Sequence, residues 1–211
     1  MTSDTHSVHD DLAYLRSLVD EDWRPGVWAF GALYVSLGAT LVAHVLISWG
    51  AGAGYLPLRG ASLLTTYIVL YVVASLVWTW IGARSRRELQ LRGAPRVSVK
   101  GRASVAALAG AFLGHVVMLG VFVIVALRQD NVVFLQLAPL VLFTLQSTVW
   151  FVVNAMSRQR WQLVVAWGWL VAVLALAPLV GTDAIELGIA AAAIALMITP
   201  GVYMMRAARK A

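Results

Sequence analysis

Apolar residues in this chain come in long unbroken runs, not in the alternation of a half-buried strand. Six runs are close to the roughly 20 residues that an α-helix needs to cross a bilayer. They cover residues 27–48, 62–83, 104–127, 133–156, 162–180 and 185–205. Backbone groups in hydrocarbon have no water to bond, so runs of this length are read as helices, and the missing alternation excludes a transmembrane β-barrel. Polar punctuation falls between the runs: residues 50–60 with Gly, Pro and Arg, residues 82–102, residues 128–131 and residues 181–183. The prediction is an all-α, polytopic membrane protein of six transmembrane helices occupying residues 23–211.

The pattern also repeats. Ser75–Leu91 reads SLVWTWIGARSRRELQL and Ser147–Leu163 reads STVWFVVNAMSRQRWQL. Eight of the seventeen positions agree at a fixed offset, among them Ser75 with Ser147, Trp78 with Trp150 and Arg86 with Arg158. With one residue gapped, the preceding helices match as well, which pairs His44 with His115. A fainter third copy ends at Val202-Tyr203 and Ala208-Arg209. The expected architecture is three pseudo-repeated two-helix hairpins, a symmetry shared by many membrane bundles of different function.

Residues 1–22 differ from everything that follows. Ser7 and Asp10 have capping-box spacing, and Leu12, Leu15, Leu18 and Val19 fall on one helical face. A short amphipathic helix over residues 9–21 is predicted, ending before Pro25. The acidic character of this prefix, six Asp or Glu against Arg16 alone, is unlike the basic opening of a cleaved signal peptide.

Composition then narrows the class. The chain is 61% hydrophobic and 12% charged, against about 25% charged in an ordinary globular domain. No cysteine is present, which removes disulfides and thiolate metal ligands. The net charge of +6 is mostly a topology signal. Arg84, Arg86, Arg87, Arg92, Arg96, Lys100 and Arg102 lie between the second and third runs, with Arg158, Arg160, Arg206, Arg209 and Lys210 on the same side. Short basic segments stay cytoplasmic, so both termini are expected inside, in the cell (inner) membrane. With no soluble fold to carry a basic surface, nucleic acid is not an expected partner.

Candidate chemistry must come from polar groups at membrane depth, where they are costly. The first helix offers Ser36, Thr40, His44 and Ser48 at four-residue spacing, one slowly winding stripe. The fourth offers Gln136, Gln146, Ser147, Trp150 and Asn154, with Pro139 as a site for a kink; the second offers Tyr67, Tyr71, Ser75 and Trp78. Ser36, Thr40, His44, His115, Gln146, Ser147 and Asn154 are candidates for a polar cavity. Gly110 and Gly114 have the spacing of a close helix approach, within the chain or in a homo-oligomer. His44 and His115 are candidate bis-histidine haem ligands. Counted from Arg24 and Arg102, they differ in depth by about 10 Å, which opposes that pairing. No protease, hydrolase or nucleotide-binding motif occurs.

Three functions of different class follow. The leading one is a non-enzymatic membrane protein, a sensor, anchor or accessory subunit, docking a cytoplasmic protein through Leu12, Leu15, Leu18, Val19, Arg86 and Arg87. The second is a permeation protein for a small solute or ion, with a path lined by His44, His115 and Gln146. The third is a haem-binding redox subunit. No cofactor is required by the first two, and the lipid bilayer is the one partner common to all three.

Overall fold

The computed structural model describes residues 24–91, 99–131 and 133–210, and among them every regular element is helical. The helices are α1 (Arg24–Gly52), α2 (Ala61–Leu91), α3 (Val99–Gln129), α4 (Val133–Ser157), α5 (Arg160–Leu176), α6 (Ala184–Ala193) and α7 (Thr199–Lys210). A 3₁₀ turn, Ala177–Leu179, closes α5, and a π-helical turn, Ile194–Ile198, joins α6 to α7 in one continuous rod. Among the described residues there are therefore six rods. Five, Gly26–Gly52, Ala61–Glu88, Val133–Ala155, Arg160–Leu179 and Ala184–Arg209, are long and apolar enough to cross a membrane. The remaining rod, α3, ends in the apolar stretch Val116–Gln129. The expected amphipathic helix, with Leu12, Leu15, Leu18 and Val19, lies outside the described residues.

Local sequence explains where the rods stop. The chain leaves α3 through Asp130, and the Asn131 Oδ1 accepts the Val133 N–H to start α4. Arg158 takes a left-handed conformation, which turns α4 into α5 in two residues while its N–H donates to the Asn154 carbonyl. Pro178 sits in the 3₁₀ turn, and the following Gly181 N–H donates to Gln136 Oε1 of α4 at 2.7 Å. The π turn has a cause too. Pro200 has no N–H and crowds the carbonyl four residues back. The wider turn before it lets the Thr199 N–H and its hydroxyl both donate to the Ile194 carbonyl.

The rods do not pack as three equivalent hairpins. α4 lies most extensively on α5, and α1 on the α6–α7 rod; α2 packs chiefly against α1 and α3 against α4. The core is accordingly built by Tyr34 of α1, Phe143 and Trp150 of α4, Ala166 and Trp169 of α5, and Ile185, Ile189 and Met204 of the last rod. α2 and α3 are peripheral, with Leu64, Ile68, Leu76 and Trp80 of the one, and Leu113, Val117 and Leu127 of the other, more than half exposed to whatever surrounds the bundle.

Without a hydrophobic drive between helices in lipid, close backbone approach carries much of the association. That approach occurs between Gly31 of α1 and Gly201 of α7. A Cβ on Gly31 would stand 2.7 Å from the Gly201 carbonyl oxygen, and a Cβ on Gly201 would stand 2.8 Å from the Gly31 oxygen. Gly38 extends the contact one level along, against Met197 and Ile198 of the π turn. Gly110 and Gly114 do not serve this purpose within the chain, since a Cβ on either meets nothing within 4 Å. Helix α3 touches its one main neighbour, α4, through another face.

Gly31→Ala is thus expected to force α1 and α7 apart and to cost about 1–3 kcal/mol, the usual penalty of overpacking. Gly114→Ala should change stability by no more than about 1 kcal/mol, the helix-propensity difference. Thermal unfolding in mild detergent, followed by circular dichroism, checks both; equal midpoints for the two variants would contradict the crossing described.

Candidate functional site

A buried tyrosine needs a partner for its hydroxyl, and a buried tryptophan an acceptor for its N–H. At the centre of the bundle these needs meet. The Tyr34 hydroxyl of α1 accepts the Trp150 Nε1–H at 2.7 Å and the Gln146 Nε2–H at 2.9 Å, both from α4. Tyr34 is 3% exposed and Trp150 1%. Phe30 stacks on Tyr34, and Trp161 of α5 meets Trp150 edge-on before packing on Tyr203 of α7. Trp169 lies against Phe143, its indole N–H sealed from solvent and without an acceptor among the described residues.

The polar stripe of α1 serves two different neighbours, α2 and the last rod, and its own backbone. Ser36 Oγ accepts the Trp78 Nε1–H of α2 at 3.0 Å. Thr40 Oγ donates back to the Ser36 carbonyl at 2.8 Å. The His44 ring stacks on Tyr67 with centroids 4.4 Å apart, and its Nδ1 lies 3.4 Å from the Tyr71 hydroxyl. Ser48 Oγ donates to Glu186 Oε1 of α6 at 2.9 Å. Four-residue steps advance about 40° each around a helix, so the stripe has turned from α2 toward the last rod by the time it reaches Ser48.

The other candidates divide in the same way. Gln146 and Ser147, adjacent in sequence, point about 100° apart. Gln146 joins Tyr34, whereas Ser147 Oγ donates to the Ala166 carbonyl of α5 at 2.8 Å. Asn154 is half-buried near the end of α4. Of the two histidines considered for haem, His44 has its Nδ1 engaged, and the side chain of His115 lies outside the described ones. Among the described residues no group of three or more His, Asp or Glu side chains could hold a metal ion.

A second constellation stands at the basic end. The Arg84 guanidinium lies 4.5 Å from the ring centre of Trp28 in α1 and 5.6 Å from that of Trp80 one turn back, and its Nε donates to Glu88 at 2.9 Å. An arginine held by two tryptophans ties α1 to α2 near the start of the one and the end of the other. Beyond it Arg86 and Arg87 are exposed.

Tyr34 and its glycine neighbours were not among the residues that the sequence pattern picks out. One signal did point there. Trp150 is one of the repeated positions and needs an acceptor, and a hydroxyl off the Ser36 stripe was available at Tyr34. Tyr34→Phe leaves the buried Trp150 N–H and the half-buried Gln146 N–H without this acceptor and is expected to destabilise the bundle by about 1–3 kcal/mol. In a double-mutant cycle with Trp150→Phe, a coupling of up to about 1.7 kcal/mol is expected, the upper range for polar pairs in membranes. Denaturant titration in mixed micelles measures it, and additive effects would show that the bond carries no stability. Compared with protein-family models, with curated proteins and with solved structures, the chain matches none.

Proposed function

We propose that this integral, multi-pass membrane protein is non-enzymatic and acts as a sensor, anchor or accessory subunit through contacts at its basic, cytoplasmic end. The observation that carries this is the length of α2. It runs unbroken for 31 residues, about 46 Å, where a hydrocarbon core is about 30 Å thick. In this reading the Trp28–Arg84–Trp80 clamp lies at headgroup level, and the final turns to Leu91 project about 10 Å beyond it and display Arg86 and Arg87. In this reading both termini are cytoplasmic, and the acidic prefix with Leu12, Leu15, Leu18 and Val19 contributes a second docking element on the same side. The α3 face bearing Gly110 and Gly114 is where a second copy would approach most closely.

The interior supports the same choice over permeation. Tyr34, Gln146, Trp150, Ser147 and Ser36 each hydrogen-bond a side chain or carbonyl of a neighbouring rod, and these contacts hold rods together. A conducting path needs groups left to replace the water around its solute.

Affinity purification of the tagged protein from native membranes in mild detergent, with co-eluting proteins identified by mass spectrometry, tests the proposal. A stoichiometric cytoplasmic partner is expected, retained by the whole chain and lost on Arg86→Glu with Arg87→Glu or on removal of residues 1–22. A partner indifferent to all of these changes would overturn it. So would small-solute flux in proteoliposomes that falls on His115→Ala or Gln146→Leu.

A further inference from the structure

Charge is unevenly placed along this chain. Six of its ten Asp and Glu residues, Asp4, Asp10, Asp11, Asp20, Glu21 and Asp22, precede α1. Of the other four, Asp130, Asp183 and Glu186 stand at the end of the bundle far from Arg24, where Glu186 meets Ser48. Glu88 alone of them stands at the basic end, and Arg84 holds it at 2.9 Å.

The fold gathers arginines at that end. Gly38 meets Met197 and Ile198, and Gly31 meets Gly201, Met204 and Met205, so the last rod runs antiparallel to α1 and its final turns lie beside the start of α1. Arg206 and Arg209 are exposed on those turns. Trp161 packs on Tyr203 with ring centres 5.2 Å apart, which brings the α4–α5 turn, with exposed Arg158 and Arg160, to the same rim. On the α2 side Glu88 balances part of the charge, whereas the α4–α5 turn and the α7 end have no acid of their own among the described residues. Four like charges on one rim repel each other and favour an anionic occupant.

We infer that the occupant of this arginine rim is the chain's own acidic segment, with Asp20, Glu21 and Asp22 on Arg206 and Arg209, and Asp10 and Asp11 on Arg158 and Arg160. The tether fits. Asp22 is two residues from Arg24 and Asp20 four, which allows at most about 7 Å and 14 Å from the start of α1. As the predicted helix, residues 9–21 extend about 20 Å, and packed rods are about 8–10 Å apart, so one such helix crosses from the α7 end to the α4–α5 turn. Exposed ion pairs are individually weak, but several act together here and the tether keeps the carboxylates at high effective concentration. Seated on the rim, the segment stands at the same end as Arg86 and Arg87, and the two docking elements proposed above become one surface. That consequence rests on the proposed docking; the contact itself does not.

The chain has no cysteine, so a pair can be introduced without background. Ala13→Cys with Gln159→Cys, in the full-length protein in mild detergent, leaves every charge in place. Oxidation at low salt is expected to join the two within one chain, read as a shifted monomer band on a non-reducing gel. Arg158→Glu with Arg160→Glu should slow the reaction about tenfold, as should salt at about 1 M, since exposed pairs are screened. Adding Asp10→Arg with Asp11→Arg should restore the rate, which also shows that the reversed bundle is folded. A rate indifferent to charge and salt, or one that the second reversal does not restore, would overturn the inference. So would a disulfide that forms only between two copies, or one that forms in nanodiscs of neutral lipid and fails in anionic lipid, which would give the rim to headgroups. A charge-dependent disulfide in a protein that co-purifies with no partner would sink the docking proposal and leave this contact standing.

Discussion

The Tyr34 hydroxyl is the point on which the bundle turns. In hydrocarbon a buried N–H without an acceptor is not rescued by water, and Trp150 and Gln146 of α4 both rely on this one oxygen of α1. Around it Phe30, Trp161 and Tyr203 fill the space with aromatic surface, and one level away Gly31 and Gly201 let α1 and α7 touch through their backbones. Helix α1 is therefore shared. It is held to α4 by hydrogen bonds, to α7 by close approach and to α2 by the Trp78–Ser36 bond and the Arg84 clamp.

The sequence match between Ser75–Leu91 and Ser147–Leu163 takes on a physical meaning in this setting. Trp78 and Trp150 are equivalent positions, and each donates its indole N–H to a hydroxyl of α1, Ser36 for the one and Tyr34 for the other. Ser36 and Tyr34 lie two residues apart, about 200° around the helix. The two copies thus grip one central rod from nearly opposite sides. Equivalence ends there. Ser147 is buried and bonds across to α5, while Ser75 is exposed and bonds its own helix. A repeat of residues need not produce a repeat of surroundings once one helix becomes common property.

Because the centre is occupied by α1, α4, α5 and the last rod, α2 is left with most of its surface outward. That surface carries the exposed Arg86 and Arg87 at the basic end and the exposed Tyr71 ring beside His44 nearer the other. In the core, by contrast, Tyr34, Gln146, Trp150 and Ser147 bond across to neighbouring rods, and the Trp169 N–H is left without an acceptor among the described residues.

Sequence alone determined the helices, since long apolar runs admit no other way to satisfy the backbone in lipid, and the breaks at Gly54, Asp130, Arg158 and Gly181 follow from local turn chemistry. It also marked Ser36, His44, Gln146, Ser147 and Trp150 as polar groups at depth. It did not decide which neighbour each would meet. A four-residue stripe looks like one surface in projection, yet its 40° advance per step handed Ser36 to Trp78, His44 to Tyr71 and Ser48 to Glu186. Nor did spacing distinguish Gly110 and Gly114, which face open space, from Gly31 and Gly201, which are 170 residues apart and meet only when α1 and α7 cross. Adjacency in sequence fixes a helix; which faces come together is a property of several rods packed at once, and tertiary structure alone decides it.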